Sequence, residues 1–403
     1  MFEPVYCEKE VHELGGPGIF FLGDAQDILH SLLDEYKGRV QLIYLDPPFK
    51  KEIYRLNSTK SIQLSSLNPC NHTKDSNLSL MHGILTGCHA LLKPTGSIYL
   101  HANYKQAAYM RLLLDEVFGA ANFMNEIIWT YRSGGRSTKH YSRKHDNILF
   151  YRKSGNCYFN IEEVGIPRGE NSRNHLRKNI DQTGKVFYSL KTGGKTYRYY
   201  EDSLIYPSDV WTDIEYLHQN DPERSGFSSQ KPEALLKRIL TASTREGDIV
   251  ADLYSGSGTT AAVASKLGRF FLACDSSPFG LYALRKRQHQ AYNIPNLFDE
   301  AHPLEFRYPS DKPVSTLNAS ASKSDGFLII ELNNYKAEGK ACELVYCALG
   351  SMGQDTFYPK VFLDSPALPA SLKMPLKLNT QPILQTMDIR GIQGFWSLKM
   401  DSL

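Results

Sequence analysis

Short apolar runs alternate with amphipathic stretches along much of this chain. Residues 18–23 are apolar and β-prone and stop at Gly23-Asp24. Ile28, Leu29, Leu32 and Leu33 then share one face at helical spacing. Val40–Leu45 is too short for a helix and suits a buried strand. It stops at Asp46-Pro47-Pro48-Phe49, where two prolines continue neither strand nor helix, so a stiff loop is expected at the strand's carboxyl end. Residues 50–78 are polar and read as a loop. A helix over Leu80–Leu92, a strand over Ser97–His101, a helix over Lys105–Phe118 and strands over Ile127–Tyr131 and Asp146–Arg152 follow.

Residues 154–228 break this rhythm: they are polar, basic and rich in Tyr, with no clean period. Order returns at Gln230-Lys231-Pro232, where proline opens an amphipathic helix running to Thr241. The strand Asp248–Leu253 leads into Tyr254-Ser255-Gly256-Ser257-Gly258-Thr259-Thr260, then a helix, a strand ending at Asp275 and a basic helix over Leu281–Gln290. Alternating strands and helices predict an α/β fold with a doubly wound, mostly parallel, Rossmann-like sheet. After Pro303, strands over Phe327–Leu332, Leu344–Leu349 and Phe357–Phe362 predict a small β-rich appendage. The expected division is a first core half at 1–153, an inserted region at 154–228, a second core half at 229–300 and the appendage at 301–403.

Composition narrows the class. No apolar run approaches the roughly 20 residues that span a bilayer, and the first residues have neither the basic nor the apolar region of a secretory signal, so a cytoplasmic, membrane-free protein is expected. Seven widely spaced cysteines without a CxxC pair argue against a disulfide framework or a zinc site. His101, His140 and His145 have no recurrent spacing and no carboxylate cluster, so no metal is expected. The net charge of +3 identifies no partner, but its distribution is uneven. Arg132–Lys153 holds seven Lys or Arg against Asp146, and Arg168–Arg198 holds eight against Glu170 and Asp181. Basic stretches interleaved with aromatics suit contacts to phosphates, although a solvated loop has the same charge.

Two motifs carry chemistry. Gly256 and Gly258 lie between a strand and a helix, Ala261 stands where a dinucleotide fold places its third small residue, and Asp275 ends the next strand. Alone, that loop fits a nicotinamide site as well as a methyl-donor site. Asp46-Pro47-Pro48-Phe49 is more specific. An aromatic amine is a poor nucleophile because its lone pair is delocalised into the ring. The Asp46 carboxylate and the Pro47 carbonyl are two acceptors, held stiffly, that draw on the amino hydrogens, while Phe49 stacks on the ring.

Residues 18–290 resemble the β-class amino DNA methyltransferases (N6-adenine and N4-cytosine), a family that includes type III modification subunits. The resemblance rests on the order of Asp46–Phe49, then a recognition segment, then Asp252–Thr260. It also rests on the flanks Gly23-Asp24-Ala25, Leu92–His101, Asn125–Trp129, Arg143–Asp146 and Gln230–Glu233. It implies S-adenosyl-L-methionine as methyl donor and a base extruded from double-stranded DNA as acceptor. By position it implies catalytic roles for Asp46, Pro47, Pro48 and Phe49. Gly256 and Gly258 would face the methionine part of the donor, beside Asp252, with Tyr254 as an aromatic wall. Asp275 would hold the ribose hydroxyls, Gly23-Asp24 the adenine, and Lys231 and Thr260 the methionine carboxylate. Two departures stand out: Leu253-Tyr254-Ser255 replaces the usual Pro-Phe-Cys, and residues 50–78 lack the Asn-Thr-Gly that often follows the tetrapeptide.

Arg132, Arg136, Lys139, Arg143, Arg168, Arg173, Arg177 and Lys178 are the candidate DNA contacts. Asp at the first catalytic position resembles the adenine enzymes, whereas the cytosine N4 enzymes more often have Ser. A cytosine N4 enzyme, a DNA-binding protein that keeps the fold without turnover, and a nicotinamide oxidoreductase are the alternatives. A second copy of the chain and a cognate restriction subunit are the protein partners left open. Pro69-Cys70 resembles the catalytic pair of cytosine C5 enzymes, but it precedes the glycine loop instead of following it, so Cys70 reads as a loop residue.

Overall fold

The computed structural model describes residues 2–5, 9–12, 17–48, 53–55, 61–63, 74–132, 136–167, 176–292, 304–307, 315–324, 327–337, 340–341, 344–353, 356–364, 366, 368–375, 382–388 and 393–398. Across the core, sheet neighbours run in the order Leu304–Arg307, Gly18–Leu22, Phe270–Asp275, Ile249–Asp252, Val40–Leu45, Leu92–Ala102, His145–Arg152, Phe123–Thr130 and Val210–Trp211. The strands from Leu304–Arg307 to Leu92–Ala102 are all parallel. His145–Arg152 is antiparallel to both its neighbours.

Strand periodicity divides the apolar side chains between two cores. Ile43, Leu45, Ile98, Leu100, Ala251 and Leu272 face the layer of Ala25–Tyr36, Lys74–Leu91 and Ala107–Leu114. Their alternates Leu42, Tyr44, Tyr99, Val250 and Phe271 face the layer of Glu233–Ser243, Thr259–Lys266 and Pro278–Tyr292. The expected doubly wound sheet is therefore present. Helix Lys74–Leu91 begins six positions before the expected Leu80, inside the stretch read as a loop. Two short strands in that stretch, Ile53–Arg55 and Ser61–Gln63, also pair.

The 154–228 segment, which showed no period, contains the antiparallel sheet Arg177–Ile180, Val186–Thr192 and Lys195–Tyr200. Its strands alternate weakly because most of their side chains meet water. The C-terminal strands extend the core sheet. Lys9–His12 joins Leu304–Arg307 to Thr356–Asp364, and Leu344–Gly353, Pro382–Asp388, Gln393–Leu398 and Phe2–Val5 continue outward. One face of this extension packs Tyr346, Phe357 and Ile383 on Phe279 and Tyr282 of the last core helix. A second sheet covers the other face through Leu328, Ile330 and Leu372.

Helix Lys74–Leu91 follows Val40–Leu45 on one face, and helix Thr259–Lys266 follows the adjacent Ile249–Asp252 on the other. A crevice opens between carboxyl ends wherever connections diverge in this way. Asp46 and Asp252 lie at that point.

Candidate active site

The three strand-terminal carboxylates have different surroundings. Asp252 is buried, accepts 2.5 Å from the Thr260 hydroxyl and 3.1 Å from the Tyr254 backbone N–H. Burial, with added repulsion from Asp46 and Asp275, pushes its carboxyl up to about 7 despite those bonds. Asp275 accepts from the N–H groups of Gly256 (2.7 Å) and Ser277 (2.8 Å), and its carbonyl accepts from Gly23 N (3.0 Å). Segments around Gly23, Asp252 and Asp275, apart in the sequence, therefore form one bonded unit.

Gly256 and Gly258 have left-handed φ values of +49° and +72°. That backbone disfavours any side chain. A Cβ on Gly258 would also lie 3.0 Å from Leu284, which lets the loop press on the last core helix. Gly280, which the sequence did not single out, approaches the loop equally closely: a Cβ there would meet the Gly256 carbonyl at 3.1 Å and the Asp275 side chain at 3.0 Å. At Gly256 the nearest atom to such a Cβ is 3.9 Å away on Phe227, so backbone is presented to open space. A positively bent glycine backbone beside a fixed carboxylate fits the methionine and ribose parts of S-adenosyl-L-methionine.

Asp46 follows its strand directly and is largely covered, with Pro47 buried behind it. Lys231 Nζ donates to Asp46 Oδ2 and, at 3.2 Å, to the Ser229 carbonyl. The Lys231 segment is held firmly. Its carbonyl accepts from Thr259 Oγ1 at 3.2 Å. Buried Gln230 accepts 2.7 Å from Ser225 N and donates 2.7 Å to the Glu223 carbonyl. Lys231 thus bridges the glycine loop and Asp46.

A polar network continues beneath Asp46. Tyr44, two residues earlier on the strand, places its hydroxyl 3.1 Å from Nδ1 of the buried His101. His101 Nε2 lies 3.3 Å from Asp146 Oδ2, off the line of an ideal hydrogen bond. Burial drives the Tyr44 phenol well above its ordinary range, so Tyr44 stays protonated at its contact with His101 Nδ1. Burial opposes the Asp146 charge too, but contact with His101 and the charges of His101, Lys231 and His145 outweigh it and hold the carboxyl low. Trp129 meets His101 edge-on at 5.9 Å.

A sequence profile described as a DNA methylase (N6/N4) matches residues 40–285. The chain belongs to this DNA methylase family. It is 28% identical over 285 residues to the type II methyltransferase M.HpaI of Haemophilus parainfluenzae, covering 70% of this chain and 78% of that one. It is 29% identical to the DNA adenine methyltransferase YhdJ of Escherichia coli strain K12, covering 63% and 80%. Among solved structures, a DNA modification methylase of Thermus thermophilus in complex with S-adenosyl-L-methionine covers 73% of this chain and 99% of its own at 17% identity and a TM-score of 0.45. As a member of this family, the methylase uses S-adenosyl-L-methionine to methylate DNA.

The remaining expected residues separate by place. Asp24 caps helix Ala25–Tyr36, accepting 2.9 Å from Gln26 N. Thr260 is buried on Asp252. Tyr254 is half-buried, with its hydroxyl on Met81 Sδ at 3.9 Å. Arg132, Arg136, Lys139, Arg143, Arg177 and Lys178 are exposed. Phe49, Arg168 and Arg173 lie outside the described residues. Tyr44, His101, Asp146 and Gln230 join the site without having been assigned a role from the sequence. Three of these sat inside the recognised flanks Leu92–His101, Arg143–Asp146 and Gln230–Glu233, which was the available signal. Among the described residues, no group of His, Cys, Asp and Glu could hold a metal ion, and no helix is long and apolar enough to cross a membrane.

Proposed function

We propose that this methylase modifies the N6 amino group of adenine in double-stranded DNA, with the target base extruded from the stack. The observation that carries the reading is the meeting of Asp46 and the glycine loop at the carboxyl ends of adjacent strands, with Lys231 between them. Bound S-adenosyl-L-methionine supplies a methyl group on an electrophilic sulfonium sulfur. Asp46 and the Pro47 carbonyl accept from the two amino hydrogens of the base and favour the tetrahedral nitrogen whose lone pair can attack. When the nitrogen gains the methyl group it becomes cationic, and the Asp46 carboxylate is placed to take the proton it sheds. Lys231 orients that carboxylate, and the Tyr44–His101–Asp146 chain holds the strand ends around it. The glycine loop and Asp275 hold the donor. The cations on the 131–144 loop and the 177–200 sheet contact phosphates.

Adenine is favoured by Asp at position 46 and by the adenine specificity in the name of the YhdJ relative. Sequencing that distinguishes modified bases, applied to DNA from a host expressing the chain, tests the proposal. N6-methyladenine at one motif is expected, and N4-methylcytosine in its place would overturn it.

A further inference from the structure

The loop 131–144 joins strand Phe123–Thr130 to strand His145–Arg152. Ala102 pairs with Asn147, so the loop opens at the carboxyl ends of the parallel strands, the same edge as Asp46. From residue 132 to 144 it contains Arg132, Arg136, Lys139, Arg143 and Lys144 and no acidic residue. The described residues 136–144 are tied to one another and to Tyr131. Tyr131 N donates to the Lys144 carbonyl at 2.9 Å, Ser137 N to Ser142 Oγ at 3.3 Å, and the N–H groups of Lys139 and His140 to Ser137 Oγ at 3.3 Å. The His140 ring lies 2.9 Å from the Tyr141 carbonyl. The result is to hold Tyr141 outward: it is 98% exposed, the most exposed large hydrophobic side chain among the described residues. Arg143 beside it stacks at 4.3 Å over Tyr104.

A ring held in water on a positively charged, bonded loop at the reaction edge contributes nothing to the core. We propose that Tyr141 is the wedge that enters the DNA stack where the target base leaves it and stacks on the orphaned partner base. The inference rests on the reading of this chain as a base-extruding DNA methylase. Extruding a base costs a few kcal/mol, least where the base is already mismatched. An aromatic ring that replaces lost stacking offsets part of that cost, as other inserted side chains do. The surrounding cations hold the phosphates on either side, and the bonded backbone keeps the ring in place before DNA arrives.

Once the methylated motif is mapped, tritiated-methyl transfer is measured on two duplexes carrying it, one with the target base paired and one with it opposite an abasic site. Tyr141→Ala is expected to slow the paired duplex by about 10- to 100-fold and to recover most of that loss on the abasic duplex. Tyr141→Trp is expected to stay near the parent on both. Equal losses on the two duplexes, or no loss on either, would overturn the wedge. Absence of transfer by the parent chain on either duplex would instead bring down the methylase reading, and the wedge with it.

Discussion

The strand-end corner around Asp46 and the small sheet 177–200 both carry charge, but they treat it in opposite ways. In the corner, His101 and Asp252 are almost fully withdrawn from water, Asp46, Asp146 and Lys231 mostly so, and every carboxylate has a bonded or charged neighbour. On the sheet, Arg177, Lys178, Lys191 and Lys195 stand in water, and the ion pairs are loose or exposed: Lys178 to Glu201 at 3.8 Å, Lys185 to Asp202 at 2.9 Å. Exposed pairs of that kind contribute little to stability. A buried charge must be oriented before the reaction, because rearranging it during the reaction would raise the barrier. A solvated charge keeps its freedom to find a phosphate. The corner should therefore respond steeply and specifically to substitution, and the sheet shallowly and in proportion to charge.

The sharpest test of that contrast is Asp46→Ala. Methyl transfer is expected to fall by on the order of 1,000-fold in a tritiated-methyl assay, while calorimetry shows donor affinity retained. Near-normal turnover would remove Asp46 from catalysis. Next comes Asp146→Asn, which keeps the shape but removes the charge facing His101 and Lys231. A fall in kcat of about 10- to 100-fold with little change in donor KM is expected, and Asp146→Glu should regain part of it. A change confined to thermal stability would make Asp146 a packing residue only.

Asp252 tests the cost of a buried charge. Its carboxyl is raised, from the usual 3.8 to about 7, so the folded chain holds a proton that the unfolded chain releases. That contribution is fully present below about pH 4 and is lost as pH rises to about 7, at about 1.4 kcal/mol for each pH unit crossed. Asp252→Asn should keep the acceptor for Thr260 and Tyr254 and remove this dependence on pH. The difference between the Tm values of variant and parent is then expected to grow in the variant's favour from pH 5 to pH 8. A difference that does not vary with pH would show that Asp252 is charged throughout. The smallest effect is expected on the sheet: Arg177→Ala and Lys178→Ala should each weaken binding to any duplex by a few-fold, roughly, and flatten the salt dependence by about one unit of slope. Loss of motif choice without loss of affinity would instead place these side chains on base edges.

Local rules made part of this molecule legible. Val40–Leu45 had to be a buried strand, Pro47-Pro48 had to end it, and Gly256 and Gly258 had to turn between strand and helix, because each follows from backbone sterics and burial within a few residues. The weakly alternating 177–200 sheet was not legible, since its side chains meet water and leave no apolar period. The two-sheet C-terminal packing likewise depends on strands far apart in the chain, Phe2–Val5 against Gln393–Leu398 among them.

The order of motifs, the doubly wound sheet and the chemical character of Asp46 were therefore determined by the sequence itself. Tertiary structure alone decided which charges meet. Lys231 lies 185 positions from Asp46 and bonds to it, while Tyr44, His101 and Asp146 come from three strands that only the sheet order makes neighbours. Helix and strand preferences act over a few residues. Electrostatic pairing acts over a few ångströms, and only the folded sheet converts one distance into the other.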